Sequence, residues 1–142
     1  GKEACAKIIS TEFTDKCDTF QMELSSAYDV KGLESLKRTF LYSRQGNGSL
    51  TVTDEVSMEL PGSFETACVT AGTFEKKSES SIVVSSGKEK ILVEFSSDAG
   101  EIEISSFEIK EEMNAKIKPL RIGFKLKNPV DKAYIKLKFS PL

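Results

Sequence analysis

The chain has 142 residues, 39% of them hydrophobic and 30% charged, with a formal net charge of -2 and no histidine. That length fits one domain, residues 1–142, able to bury a core without staples. No apolar run approaches the roughly 18 residues of a membrane span, and the absence of imidazole excludes Ser-His and Cys-His catalysis and histidine-ligated zinc.

Gly1-Lys2-Glu3-Ala4 lacks the apolar stretch of a signal peptide, and a leading Gly in place of Met reads as a tag remnant or an excised fragment. A strand is expected over residues 7–14, then a polar turn at Asp15-Lys16-Cys17-Asp18. In a second strand Phe20, Met22 and Leu24 alternate with Gln21, Glu23 and Ser25. This hairpin puts Cys17 at its tip and Cys5 near its open end, so a Cys5–Cys17 disulfide is poorly supported. Cys5, Cys17 and Cys68 show no metal-ligand spacing. Residues 27–32 are turn-like, and Leu33-Glu34-Ser35-Leu36 has the spacing of one helical turn, too short to stand alone.

Residues 36–44 and 50–60 form the next hairpin, around Gln45-Gly46-Asn47-Gly48. Loop parity selects its register. A three-residue loop sets Tyr42 against Leu50, Phe40 against Val52 and Arg38 against Asp54, gathering the apolar residues on one face; a two-residue loop scatters them. Asp54 then points inward between Val52 and Val56, where an unpaired carboxylate is costly, and Arg38 is its structural ion-pair partner. Asn47-Gly48-Ser49 fits the glycosylation sequon, but turn geometry accounts for Asn-Gly there.

Pro61-Gly62 ends that strand. Further strands are expected over residues 63–70, with Cys68 a small buried residue, and over residues 81–85, 91–95 and 101–109. In the last, Ile102 and Ile104 occupy even positions and Phe107 and Ile109 odd ones, which predicts a bulge near Ser105-Ser106. Finally, Leu120, Ile122, Phe124 and Leu126 alternate with Arg121, Gly123, Lys125 and Lys127, and Ala133, Ile135, Leu137 and Phe139 alternate with Lys132, Tyr134, Lys136 and Lys138. About ten short strands without a substantial helix predict an all-β fold, an antiparallel β-sandwich.

The charge is divided: residues 1–112 carry a net -9 and residues 113–142 a net +7. Arg121, Lys125 and Lys127, with Lys132, Lys136 and Lys138, are expected to project from the same side of two adjacent strands, with Tyr134 among them, a cationic face that is a candidate surface for an acidic glycan. Cross-strand pairing with Glu101, Glu103 and Glu108, or docking on an acidic neighbour, explains the same charges. A nucleic-acid partner is not expected, because the net charge is negative and the lysines are not interleaved with stacking aromatics. The carboxylate pairs Glu101/Glu103 and Glu111/Glu112 read as solvated surface rather than as acid/base catalysts. No catalytic residue, metal site, cofactor or membrane partner is expected.

At Ala27-Tyr28, Gly32-Leu33, Lys37-Arg38-Thr39-Phe40, Leu50-Thr51-Val52-Thr53-Asp54-Glu55-Val56 and Phe64-Glu65-Thr66-Ala67, and over nearly all of residues 6–139, the chain resembles the C-terminal β-sandwich region of heparinase II/III-like polysaccharide lyases. The resemblance implies a bacterial enzyme, periplasmic or extracellular, that cleaves uronate-containing polysaccharides by β-elimination. In that family an N-terminal (α/α) toroid supplies the reacting histidine, tyrosine and asparagine. Tyr28, Tyr42 and Tyr134 lie outside the family's catalytic segment, so the resemblance makes this chain a noncatalytic accessory domain, partnered by the toroid of its own polypeptide. An independent carbohydrate-binding module and an extracellular adhesion domain are the alternatives.

Overall fold

The computed structural model describes residues 4–110 and 118–142; the Glu111/Glu112 pair lies outside them. The fold is all-β. Among the described residues eleven strands run in chain order: β1 (Lys7–Phe13), β2 (Cys17–Glu23), β3 (Leu33–Ser43), β4 (Ser49–Gly62), β5 (Glu65–Thr70), β6 (Thr73–Ser78), β7 (Ser81–Ser86), β8 (Glu89–Ser97), β9 (Ile102–Glu108), β10 (Leu120–Leu126) and β11 (Val130–Pro141). Eight form one antiparallel sheet, in the order β1-β2-β3-β4-β11-β8-β7-β6, and three form a second, β5-β10-β9. A 3-10 turn, Ser25–Ala27, precedes β3.

The core lies between the sheets. Ile122, Phe124 and Leu126 of β10 meet Ala133, Ile135 and Leu137 of β11 and Ile82, Val93 and Phe95 of β7 and β8. Phe124 and Phe95 have ring centroids 5.3 Å apart and tilted by 56°, a favoured aromatic geometry.

The β3–β4 hairpin has the register that its apolar parity predicts, with Tyr42 opposite Leu50, Phe40 opposite Val52 and Arg38 opposite Asp54. Gly46 and Gly48 hold φ of 60° and 79° in the turn, a region that residues with a Cβ enter at a cost. Before it, Leu33-Glu34-Ser35-Leu36 is not a helical turn but the start of β3. The register shifts between Leu33 and Ser35, so one extra residue sits in the strand and brings Leu33 and Leu36, three apart, to the same inward face. A bulge and a helical turn produce the same spacing.

Two other expectations are corrected. The strand Ile102–Glu108 pairs with β10 without a register shift, so no bulge turns Phe107 inward. Phe107 stands on the outer face, 54% exposed, with the Arg121 guanidinium 5.5 Å from its ring centroid. β6 is absent from the sequence pattern, because only Phe74 of Thr73–Ser78 packs toward the core and the rest is polar. A short, charged outermost strand is how sheets discourage pairing with other chains.

Candidate binding and docking surfaces

The cationic face expected from the last two strands does not form. β10 and β11 belong to different sheets and are joined by an arch, Lys127-Asn128-Pro129, rather than by a hairpin. Their apolar residues face each other across the core, so their polar residues point away from opposite sides of the molecule. Arg121, Lys125 and Lys127 lie on the outer face of the small sheet; Lys132, Tyr134, Lys136 and Lys138 lie on the outer face of the large one. A period of two is identical in a hairpin and an arch, which is why alternation alone does not separate them.

On the small sheet the cations are matched by neighbouring acids. Arg121 Nη1 is 2.6 Å from Glu65 Oε1, and Lys125 has Glu65 and Glu103 directly opposite on its two flanking strands. Lys127 Nζ bonds the Glu101 carboxylate. That bond holds the Glu101 carboxyl below its ordinary pKa of 4.5 and raises the lysine above 10.5. Gly123 is needed here. A Cβ would stand 2.7 Å from Ser105 Oγ and 2.8 Å from Glu65 Oε1, where the Arg121–Glu65 bridge crosses the strand.

On the large sheet, Lys136 Nζ sits 5.5 Å over the Tyr134 ring and Lys138 is 3.9 Å from Glu94. Tyr134 has Glu55 opposite and donates its N–H to Asp98 Oδ1 at 2.9 Å. A shallow depression of about 260 Å³, lined by Lys37, Glu55, Asp98, Lys132 and Tyr134, carries both signs of charge. A larger open cleft of about 760 Å³ lies where β9 meets β8, with Phe95, Ile102 and Ile104 beneath and Lys76, Glu101 and Lys127 around it.

Arg38 and Asp54 form the centre of the polar interior. Arg38 Nε and Nη2 donate to the two Asp54 oxygens at 2.6 and 2.7 Å, and Thr66 Oγ1 of β5 donates to Asp54 Oδ2 at 2.5 Å. Asp54 is 3% exposed. The hydrogen bond to Asp54 holds the Arg38 guanidinium charged, above its ordinary pKa, against the opposing effect of burial. Arg38 and Asp54 sit on adjacent strands of the large sheet and Thr66 on the small one, so this pair ties the two layers together as well as orienting the strands. The sequence pattern misses Thr66, since a threonine in a strand carries no mark of what it faces.

The titratable groups with shifted pKa are tuned away from acid/base work. Asp18 is lowered by its hydrogen bonds from Arg44. Burial would raise Glu23, but the backbone N–H groups of Leu36 and Ser25 outweigh it and lower the carboxyl. A general acid at neutral pH needs the opposite shift. Burial pushes the Cys68 thiol up, which makes it a weak nucleophile. Cys5, Cys17 and Cys68 are free thiols. Among the described residues, no three His, Cys, Asp or Glu side chains are grouped closely enough to hold a metal ion, and no helix is long and apolar enough to cross a membrane.

No protein-family model matches the chain, and no curated protein matches it in sequence. Among solved structures it is similar to heparinase III. One such structure aligns with a TM-score of 0.72 at 14% identity, covering 96% of this chain and 21% of that one. A second, with methylated lysines, gives 0.71 at 13% identity over the same shares. A further heparinase III crystal structure gives 0.68 at 16% identity, covering 98% of this chain and again 21% of the other. The chain therefore spans about a fifth of the length of these structures, and its fold is that of a small β-sandwich domain of a heparinase-like protein.

Proposed function

We propose that the chain is a noncatalytic accessory β-sandwich of a heparinase III-like polysaccharide lyase, which acts in the periplasm or outside the cell on acidic, uronate-containing glycans by β-elimination. The observation that carries this reading is the match of 96% of the chain to only 21% of heparinase III. Four-fifths of that protein has no counterpart here, and the chain has no histidine to contribute to the reaction. Support also comes from the lowered carboxylates, each already committed to an ion pair or to backbone N–H groups. An (α/α) toroid elsewhere in the same polypeptide is the partner that would supply the reacting groups.

The test is eliminative cleavage measured through the ultraviolet absorbance of the unsaturated product, on heparin, heparan sulfate and alginate. The chain alone is expected to give none, and the longer polypeptide is expected to give product. Product from the chain alone rejects the noncatalytic assignment, and none from either rejects the lyase.

A second reading, glycan binding by this chain itself, now rests on two separate places. Lys132 and Tyr134 line the depression on the large sheet, with Lys136 and Lys138 further along the same face of β11, while Arg121, Lys125 and Lys127 are engaged with acids on the other side. The balance of acids beside these lysines favours the accessory role.

A further inference from the structure

The small sheet covers one side of the large one, where β4, β11, β8 and β7 supply the core and Phe74 of β6 packs against it. β5, its outermost strand on one side, reaches Arg38 and Asp54 through Thr66; beyond it the inward face of β1–β3 has no opposing layer among the described residues. The register places a set of apolar residues on this shelf. Phe20 lies opposite Phe40, with ring centroids 6.3 Å apart, Met22 lies opposite Arg38, and Ile8 opposite Met22. Phe13 and Tyr42 flank Asp18 at the far end. Ile8 is 60% exposed and Phe13 69%.

The other face of the same strands is mostly polar, with Gln21 donating to Thr39 at 3.0 Å and Leu41 the apolar exception. When an antiparallel sheet has one polar and one apolar face, the polar face meets water and the apolar face is packed against another layer. The shelf also has a polar border. Arg44 binds Asp18 through two hydrogen bonds of 2.9 and 2.5 Å at one end, and the Arg38–Asp54 pair closes the other. An apolar centre with a polar rim is the anatomy of a protein interface.

We infer that the β1–β3 shelf is the surface on which a neighbouring domain of the same polypeptide docks. The size of the patch selects this occupant over a second copy. Three to four strands at ~4.8 Å spacing and about seven residues at ~3.3 Å give a footprint of roughly 400 Å², within the ~300–600 Å² of the largest patch on a typical monomer, which is often functional. Two copies joined through it would bury about 800 Å² in total, the scale of a crystal contact rather than of a stable dimer. A domain on the same chain needs less area, because its tether supplies the effective concentration that a free partner lacks. The inference rests on the accessory-domain reading only in taking a further domain to exist; heparinase III, of which this fold makes up 21%, has that additional chain.

Hydrogen exchange of the longer polypeptide and of the 142-residue chain tests it, with the double variant Ile8→Asp/Phe13→Asp in both. These side chains are exposed on β1, so the variant leaves β10 and β11 exchanging as before. The β1 and β2 amides are expected to exchange at least about tenfold more slowly in the longer polypeptide, and the double variant to abolish that difference. Equal exchange of β1 and β2 in the two proteins overturns the docking face. So does concentration-dependent protection in the shorter chain with a dimer in sedimentation, which makes the occupant a second copy. Protection without glycan cleavage by the longer polypeptide rejects the lyase reading and keeps the docking face; cleavage without protection does the reverse.

Discussion

Asp54 on the large sheet accepts a 2.5 Å hydrogen bond from the Thr66 hydroxyl on the small one. Together with the bidentate contact from Arg38 it gives a carboxylate that is 3% exposed three hydrogen bonds, so that neither buried oxygen is left without a partner. Asp54→Asn keeps the shape and removes the charge that balances Arg38. Because Arg38 is 29% exposed, water relieves part of the loss, and the expected cost is about 3 kcal/mol, the low end for breaking a buried pair. Thermal unfolding should show Tm lowered by roughly 10 °C; an unchanged Tm would remove the pair from any structural role.

Phe124 is fully buried and its ring meets Phe95 across the core. Phe124→Ala should destabilise by about 3–5 kcal/mol through lost burial and the cavity left between the sheets. Urea unfolding should show a lower midpoint with the same slope, since the surface exposed on unfolding hardly changes.

Glu23 accepts the backbone N–H groups of Leu36 at 2.8 Å and Ser25 at 3.0 Å, fastening both the turn after β2 and the first part of β3 to the end of β2. Its carboxyl is lowered in the folded protein from an ordinary value of 4.5. A depressed carboxylate contributes stability that is complete above its unfolded value and disappears as pH falls through the folded one. Glu23→Gln should therefore cost about 1 kcal/mol at neutral pH and make the loss of stability below pH 4.5 shallower. Parallel acid-unfolding curves for the two proteins would contradict this.

The cations divided between two faces give a further expectation. Lys125→Ala, on the small sheet, and Lys136→Ala with Lys138→Ala, on the large sheet, should leave retention on immobilised heparin unchanged, since the wild-type chain is expected to show little at low salt. Strong, salt-sensitive retention lost only with Lys136 and Lys138 would instead make β11 a glycan-binding row.

Where the sequence is informative, the reason is parity. Only one loop length brings Phe40, Tyr42, Leu50 and Val52 to a common face, and the same choice forces Asp54 inward opposite Arg38. Where it is silent, two geometries share one pattern. The alternation of residues 120–127 and 132–139 fits an arch as well as a hairpin, so the separation of Arg121, Lys125 and Lys127 from Lys132, Lys136 and Lys138 is not visible in it. Leu33 and Leu36 likewise fit a bulge as well as a helical turn. Phe107 reads as inward because it is apolar, yet β9 keeps its register and Arg121 covers the ring. The uncovered shelf has no local signature, since Phe20 and Met22 alternate as they would in a closed sandwich.

The most direct measurement is glycan cleavage by the 142-residue chain beside the longer polypeptide, followed by the ultraviolet absorbance of unsaturated product. An accessory sandwich predicts product from the longer polypeptide and none from the chain alone. Product from the chain alone, without a histidine in its sequence, would contradict it.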